Sequence, residues 1–179
     1  MVIDFVKRIF LDRHIKKYKR LRYKKIQSLK EAKSVAILCQ IGDEDSYKRC
    51  YALLSKLHNL KRQTWLLGYI DDKIVPYYCL EQLSADYFCN KHLNWFGKPE
   101  KSQVIDFLRK DFDIMIDFTQ NDLPPIHYCL QMTRAKFIVG RSKFNRKYYD
   151  LLIEGEKLSD EELLDNVEKY TEQLTGHER

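Results

Sequence analysis

Positive charge and tyrosine side chains alternate near the start of the chain. Residues 1–30 contain eleven lysines and arginines but only two aspartates, so this segment has a net charge of +9 and residues 31–179 carry −3. Such a segment can neutralise several phosphates while Tyr18 and Tyr23 stack on bases, which is the chemistry of RNA binding. We expect an anionic partner to be bound by Lys16, Lys17, Lys19, Arg20, Arg22, Lys24 and Lys25.

The same segment allows two other uses. Its apolar residues follow a helical spacing, and the first of them could rest in the surface of an anionic membrane. Alternatively, this apolar edge docks on the protein's own body or on a second copy, and the charges are merely solvated. The apolar residues in question are Val2, Phe5, Val6, Ile9 and Phe10. All three uses stay open, with RNA, such as that of the ribosome, slightly ahead of a membrane surface.

A second candidate site combines an aromatic loop with a carboxylate. In the loop over residues 94–99, Trp95 could stack on a ring while Asn94 and Lys98 offer polar contacts. Asp117 ends a buried apolar run, where a carboxylate could serve in catalysis. A small enzyme or ligand-binding domain would therefore place its pocket near Asn94–Lys98 and Asp117. The alternatives are that the loop plugs the end of the sheet and that Asp117 caps the following turn.

The carboxyl ends of parallel strands are where open α/β sheets bind ligands. The segments expected there are Gln40–Asp45, Gly68–Asp71, Asp117–Asn121 and Gly140–Ser142. Residues 40–45 lack the glycines of a phosphate-binding turn and include three acidic residues, which disfavours nucleotide binding at that position.

Other chemistry finds little support in the residue spacing. The five cysteines are scattered without a CxxC pair, so we expect buried free thiols in a reducing cytoplasm and neither a metal nor another cofactor. No serine or cysteine lies in a nucleophile elbow. The sequence therefore favours a non-catalytic binding protein over an enzyme.

The apolar pattern of residues 31–179 predicts alternating strands and helices. Continuous apolar runs at Ser34–Cys39 and Phe112–Phe118 are typical of strands buried on both faces. Asp43 favours a helix N-terminus, and residues 159–162 form a capping box for a final helix. Further strands are expected at 64–70, 74–79, 135–139 and 149–153, with residues 86–99 as the main loop.

These elements predict one α/β domain over residues 31–179. Its fold class is a three-layer, Rossmann-like sandwich with a mostly parallel sheet of about five strands. Residues 1–30 are expected to precede it as a long, basic, amphipathic helical arm. The expected location is the cytoplasm, with a peripheral position at the inner membrane as the alternative.

Several segments of the chain resemble an uncharacterised domain family of Bacteroidota. They are Val35–Leu38, Gly68–Tyr69, Leu93–Pro99, Phe112–Asp117, Ala135–Phe137 and Tyr149–Ile153. The resemblance covers nearly the whole chain and implies a bacterial cytosolic protein without an assigned activity.

A more limited likeness is to the N-terminal half of the bacterial heptosyltransferases. There a strand ending in Asp, here Asp117, precedes a helix and an Ala-Lys-x-x-x-Gly segment, here residues 135–140. Those enzymes need a second Rossmann-like domain, for which 179 residues are too few. The likeness therefore implies kinship of fold alone.

Overall fold

A six-stranded sheet forms the centre of the fold. The computed structural model describes residues 2–19, 21–155 and 158–176. All strand pairs in it are parallel, in the order β3-β2-β1-β4-β5-β6. The strands are β1 (Ser34–Gln40), β2 (Gln63–Ile70), β3 (Ala85–Cys89), β4 (Ile114–Asp117), β5 (Phe137–Gly140) and β6 (Leu151–Leu152). The predicted Rossmann-like α/β sandwich is confirmed.

Helices cover both faces of the sheet. They are α1 (Val2–Tyr18), α2 (Glu44–Asn59), α3 (Ser102–Arg109), α4 (Pro124–Met132) and α5 (Asp160–Gly176), with short 3-10 helices at Asn90–His92 and Lys143–Tyr148. Buried residues of α2 and α5 form one apolar cluster, whereas those of α1, α3 and α4 form the other. No helix in the described part of the chain combines the length and apolarity needed to cross a bilayer.

Strand β1 supplies both clusters. Val35, Ile37 and Cys39 face the cluster of α2 and α5, while Ala36 and Leu38 face that of α1, α3 and α4. Since both faces of β1 are covered, an uninterrupted apolar run is required, and this is the signal that predicted the strand.

Two predicted helix starts are confirmed by their capping bonds. The Asp43 carboxylate accepts a hydrogen bond from the Ser46 amide at 2.7 Å, and the Asp43 amide donates to the Ser46 hydroxyl at 3.0 Å. In the same way, the Ser159 amide donates to Glu162 at 2.8 Å while the Glu162 amide donates to the Ser159 hydroxyl at 3.2 Å. Each pair satisfies amides that the first turn of a helix leaves free.

The strand predicted over residues 74–79 is wrong. Ile74 and Tyr77 are 74% and 87% exposed, and Pro76 between them has no amide hydrogen to donate to a sheet. The strand at this edge is instead β3, and all of it except Ala85 lies within the residues 86–99 that were predicted to be a loop. Asp86 interrupted its apolar pattern, but this carboxylate accepts a hydrogen bond from the Trp65 indole at 2.8 Å.

Helix α1 is shorter than the expected arm. It ends at Tyr18, and residues 21–33, which we call the strap, run without helix along the body. In the strap, the Lys25 amide donates to the Lys136 carbonyl at 3.1 Å, and the Leu29 amide donates to the Thr171 hydroxyl at 2.9 Å. Consecutive cations repel one another on a helix, whereas the extended strap finds backbone partners on the domain.

A buried ion pair fastens the strap. The Arg22 guanidinium lies 2.6 Å from the Asp150 carboxylate, and both side chains are only 10% exposed. Arg22 also donates to the Ala135 carbonyl at 3.0 Å, and Asp150 accepts from the Ile138 amide at 2.9 Å. Burial alone would raise the pKa of Asp150, but hydrogen bonds from Lys24, Arg22 and the Ile138 amide outweigh it and lower that pKa.

We predict that Asp150→Asn lowers the free energy of unfolding by about 3 kcal/mol at pH 7, because it leaves the Arg22 charge buried without its partner. Because the pKa of Asp150 is lowered in the folded protein, the ion pair stabilises the fold fully at pH values above the pKa of an unfolded aspartate, about 3.9. This stabilisation is lost as the pH falls through the pKa of Asp150 in the folded protein. Urea unfolding of both proteins should therefore show a difference that shrinks toward pH 3.

Asp165→Asn is the matched control. It removes the same charge from an ion pair with Lys56, whose side chains are 66% and 49% exposed. We expect a change below about 1 kcal/mol, since solvent screens this pair. Equal losses in the two variants would contradict a special role for Asp150.

Candidate functional site

Helix α1 is docked on the domain by its inner face. Leu11 and Ile15 are each 2% exposed and belong to the apolar cluster that includes α3 and α4. The opposite side of the helix therefore faces solvent. The exposed cations there are Arg13, Lys16 and Lys17, and the exposed Lys19 follows directly after the helix.

These cations have few counter-charges. In the part of the chain that the structure describes, no carboxylate oxygen lies within 4.0 Å of Lys16, Lys17, Lys19 or Lys25. The group keeps a positive potential, since these cations are exposed and are not paired with a carboxylate.

The aromatic loop is shaped by Asn94 and Gly97. The Asn94 side-chain oxygen accepts hydrogen bonds from the amides of Phe96 at 3.2 Å and Lys98 at 3.0 Å. Gly97 has a φ of +89°, a conformation that a side chain would strain. This tight turn leaves the Trp95 side chain outside the core, 59% exposed.

Trp95 extends the exposed side of α1. Its ring centroid lies 4.8 Å from that of Phe10 in an edge-to-face arrangement. The Arg13 guanidinium lies 6.0 Å from the centre of the Phe10 ring, and the Lys17 ammonium 5.3 Å from that of Tyr18. We call this group the basic–aromatic surface: Phe10, Arg13, Lys16, Lys17, Tyr18, Lys19 and Trp95.

His14 joins the helix to the loop beneath this surface. Its ring centroid lies 4.5 Å from that of Tyr18 and 5.9 Å from that of Phe96. Burial, and then the charges of Lys98 and Lys17, lower the pKa of His14. The imidazole is therefore neutral at pH 7, where it packs as a ring and adds no charge.

The remaining predicted cations differ in their availability. Arg20 lies outside the described residues. Arg22 is committed to Asp150 inside the fold, and Lys24 contacts the same carboxylate at 2.9 Å while staying 68% exposed. Lys25 is exposed on the strap. Arg22 thus positions the strap and is not free to meet a partner.

Asp117 lies in a closed polar cluster. It is fully buried, and its carboxylate accepts hydrogen bonds from the Tyr149 hydroxyl at 2.6 Å, the Thr119 amide at 2.9 Å and the Asn145 amide group at 3.3 Å. Burial raises the pKa of Asp117, and these donors offset part of that rise. The bond to Thr119 is the turn cap that the sequence offered as the alternative to catalysis.

The structure does not bring the aromatic loop and Asp117 together. The loop follows β3, Asp117 ends β4, and strands β2 and β1 separate them. Instead, Trp95 joins the basic helix. Sequence reasoning missed Phe10 and Arg13 as parts of this surface and His14 as the ring beneath it, although their spacing with Lys17 follows one side of a helix.

Gly140 makes room for the cluster around Asp117. A Cβ atom there would lie 2.3 Å from the Tyr149 ring. We predict that Gly140→Ala displaces Tyr149 from Asp117 and lowers the free energy of unfolding by about 3 kcal/mol, through overpacking and a lost hydrogen bond to a buried carboxylate. Urea unfolding at pH 7 measures this change.

Gly42→Ala controls for the substitution itself, because no atom beyond its two chain neighbours lies within 4 Å of a Cβ added at Gly42. A change within about 0.5 kcal/mol is expected at this position. If both substitutions lowered the urea midpoint of unfolding equally, the close approach of Tyr149 would not be the reason that glycine is required at position 140.

A family model matches residues 6–174 of the chain, which covers most of α1, the strap, the whole sheet and almost all of α5. That family has no known function. No curated protein matches the sequence. The predicted membership in an uncharacterised family is thereby confirmed, while its taxonomic range and the likeness to heptosyltransferases stay predictions. The chain belongs to the family of unknown function DUF6913.

Proposed function

We propose that this protein is a non-catalytic RNA-binding protein whose basic–aromatic surface holds single-stranded segments of a structured RNA. The observation that carries the proposal is the joining of exposed cations on α1 to the exposed rings of Tyr18 and Trp95. Cations in this arrangement neutralise phosphates, and the rings offer stacking platforms to unpaired bases.

The charge distribution supports a polyanionic partner. The first thirty residues carry +9 while the rest of the chain carries −3, so attraction is confined to one region. At physiological ionic strength a charge acts over about 8 Å, which favours a partner that contacts α1 and the strap directly. A nucleic-acid backbone presents several phosphates within such a reach.

RNA is favoured over a membrane because of how α1 is oriented. An interfacial helix inserts a continuous apolar face into the lipid. In α1, Leu11 and Ile15 are buried against the domain. Phe5, Val6 and Phe10 are exposed over the first part of the helix, but the outward side beyond them carries Arg13, Lys16 and Lys17, so no apolar face runs along the whole helix. The exposed rings of Tyr18 and Tyr23 stand among cations, as in surfaces that stack on bases. A cytoplasmic location goes with this partner.

A first test of RNA binding removes positive charge from the basic–aromatic surface. We predict that changing Lys16, Lys17 and Lys19 together to Gln weakens binding of a fluorescent single-stranded RNA. The slope of log affinity against log salt concentration should fall in magnitude by about 2, because each lost phosphate contact removes roughly 0.7. Fluorescence anisotropy over a range of salt concentrations measures both quantities.

A matched triple variant changes Lys56, Lys61 and Lys169 to Gln. It removes the same charge, but Lys56 lies on α2 and Lys169 on α5, across the sheet from α1. Its salt slope should equal that of the native protein. Equal slopes for native protein and both variants would show that α1 does not provide the contacts.

A second test of RNA binding removes a ring on which a base could stack. Trp95→Ala should weaken RNA binding by about tenfold, within the 1–3 kcal/mol that one base–aromatic stack contributes, while leaving the salt slope unchanged. Tyr77→Ala, at a ring that is 87% exposed beyond the basic–aromatic surface, should have no effect.

A membrane surface is the outcome that would displace RNA. If the native protein bound vesicles of phosphatidylglycerol and phosphatidylethanolamine in a salt-dependent way but did not bind the RNA, the surface would be a lipid contact and the proposal would fail.

A further inference from the structure

A cavity that shares no residue with the basic–aromatic surface lies at the carboxyl edge of the sheet, beyond the ends of β1, β4 and β5. After β1 the chain turns to α2 on one face, and after β4 it turns to α4 on the other. Because the two connections diverge from neighbouring strands, a crevice opens between them, which is where open α/β sheets place ligands. Its volume is about 450 Å³, within the range of small-molecule sites.

The cavity is lined by residues from three of the four strand ends at which the sequence predicts ligand binding. Gln40 lies at the end of β1, residues 118–121 follow β4, and Arg141 follows β5. Cys39, Cys50 and Leu158 add apolar surface, and Arg49 on α2 stands across from Asp160 at the start of α5.

Arg141 fixes the shape of the cavity. Its guanidinium donates to the Phe118 carbonyl at 2.7 Å and to the Leu158 carbonyl at 2.8 Å, and it pairs with the Asp160 carboxylate. With a side chain only 9% exposed, Arg141 ties the turn after β4 to the segment before α5. The wall is therefore rigid, and the charge of Asp160 is already neutralised.

Arg49 is the cation left for a ligand. Its side chain is 58% exposed, and the carboxylate oxygen nearest to it among the described residues is that of Asp160, at 3.8 Å. A guanidinium presents a planar row of donors that matches a carboxylate in bidentate fashion. A weak contact with an acid that Arg141 holds leaves those donors largely free.

Two side-chain amides give the cavity a polar recognition edge. The Asn121 amide group donates to the Gln40 side-chain oxygen at 2.6 Å. This bond leaves the Gln40 amide hydrogens as donors and the Asn121 oxygen as an acceptor. A ligand that both donates and accepts hydrogen bonds would pair with this edge.

The charge balance selects the ligand's charge. Arg49, Arg141 and Asp160 give the lining a net charge of +1. Asp43 and Glu44 stand at the nearby start of α2, where Asp43 already caps the helix, and they disfavour a doubly charged phosphate. One negative charge is therefore the best match.

We propose that this cavity binds a small organic acid with a single carboxylate. Arg49 pairs with the carboxylate, and the Gln40–Asn121 amides hydrogen-bond to a polar ring or hydroxyl-bearing body above the apolar side chains. Binding here is separate from RNA binding by the basic–aromatic surface, and either can fail without the other.

The test uses the isotope-labelled full-length protein and two probes, orotate, which is planar with donors and acceptors, and shikimate, which is rich in hydroxyls. Amide NMR signals from Gln40 and residues 119–121 should shift in a saturable way at millimolar probe. Arg49→Gln should weaken the better-bound acid by at least about tenfold, since it removes a charge-assisted contact. Gln40→Met, which lacks the amide, should weaken it several-fold.

Lys48→Gln is the matched control, because it removes one charge from the same helix while Lys48 pairs with Glu44 and does not line this cavity. It should bind as the native protein does. The proposal is overturned if neither acid shifts these signals, if Arg49→Gln binds unchanged, or if inorganic phosphate alone shifts them.

Discussion

The contact between Arg22 and Asp150 decides where the N-terminal segment lies. Asp150 receives Arg22 and Lys24 from the strap and the Ile138 amide from β5, so one carboxylate joins the segment to the edge of the sheet. Within a site of low accessibility, neither charge can lose its partner without a large desolvation penalty. The strap therefore has one favourable path, and α1 is delivered to the α3 and α4 face of the domain.

That anchor explains how a run of like charges can be held in order. Left alone, the cations of residues 16–25 would repel one another and favour an open chain. The domain opposes this through the burial of Leu11 and Ile15 at one end and of Leu29 and Ala32 at the other. Because the backbone that carries these cations is already held, only their side chains lose conformational freedom on binding, which preserves affinity for a partner with regularly spaced charges.

Much of the fold is visible in the sequence because its signals are local. The uninterrupted run of β1 and the reciprocal capping pairs of Asp43 and Ser159 each depend on neighbours within a few residues. The prediction over residues 74–79 was wrong because the strand propensity of these residues did not decide which segment joins the sheet. The segment that pairs with β2 is β3, although its sequence includes Asp86. Edge strands are where such competition is hardest to judge from composition.

The candidate site was only partly predictable for the same reason. The cations of α1 and the aromatic loop each stand out, but their meeting depends on Phe10 and Trp95, which are 85 residues apart in the chain. The four strand ends could likewise be predicted as ligand-binding positions from the order of strands and helices. Arg49 and Asp160 line the cavity from helices, and the rule that ligands bind at strand ends does not predict them. Long-range packing is what sequence spacing does not encode.

We expect α1 to be a fixed part of the domain before any partner binds. Amide hydrogen exchange of the free full-length protein tests it directly. We expect the amides of residues 15–19 and of Lys25 to exchange far more slowly than in an unstructured chain. Of these, the Lys19 and Lys25 amides donate to carbonyls at 2.7 Å and 3.1 Å. Exchange of these amides at unstructured rates, alongside a protected sheet, would contradict this expectation.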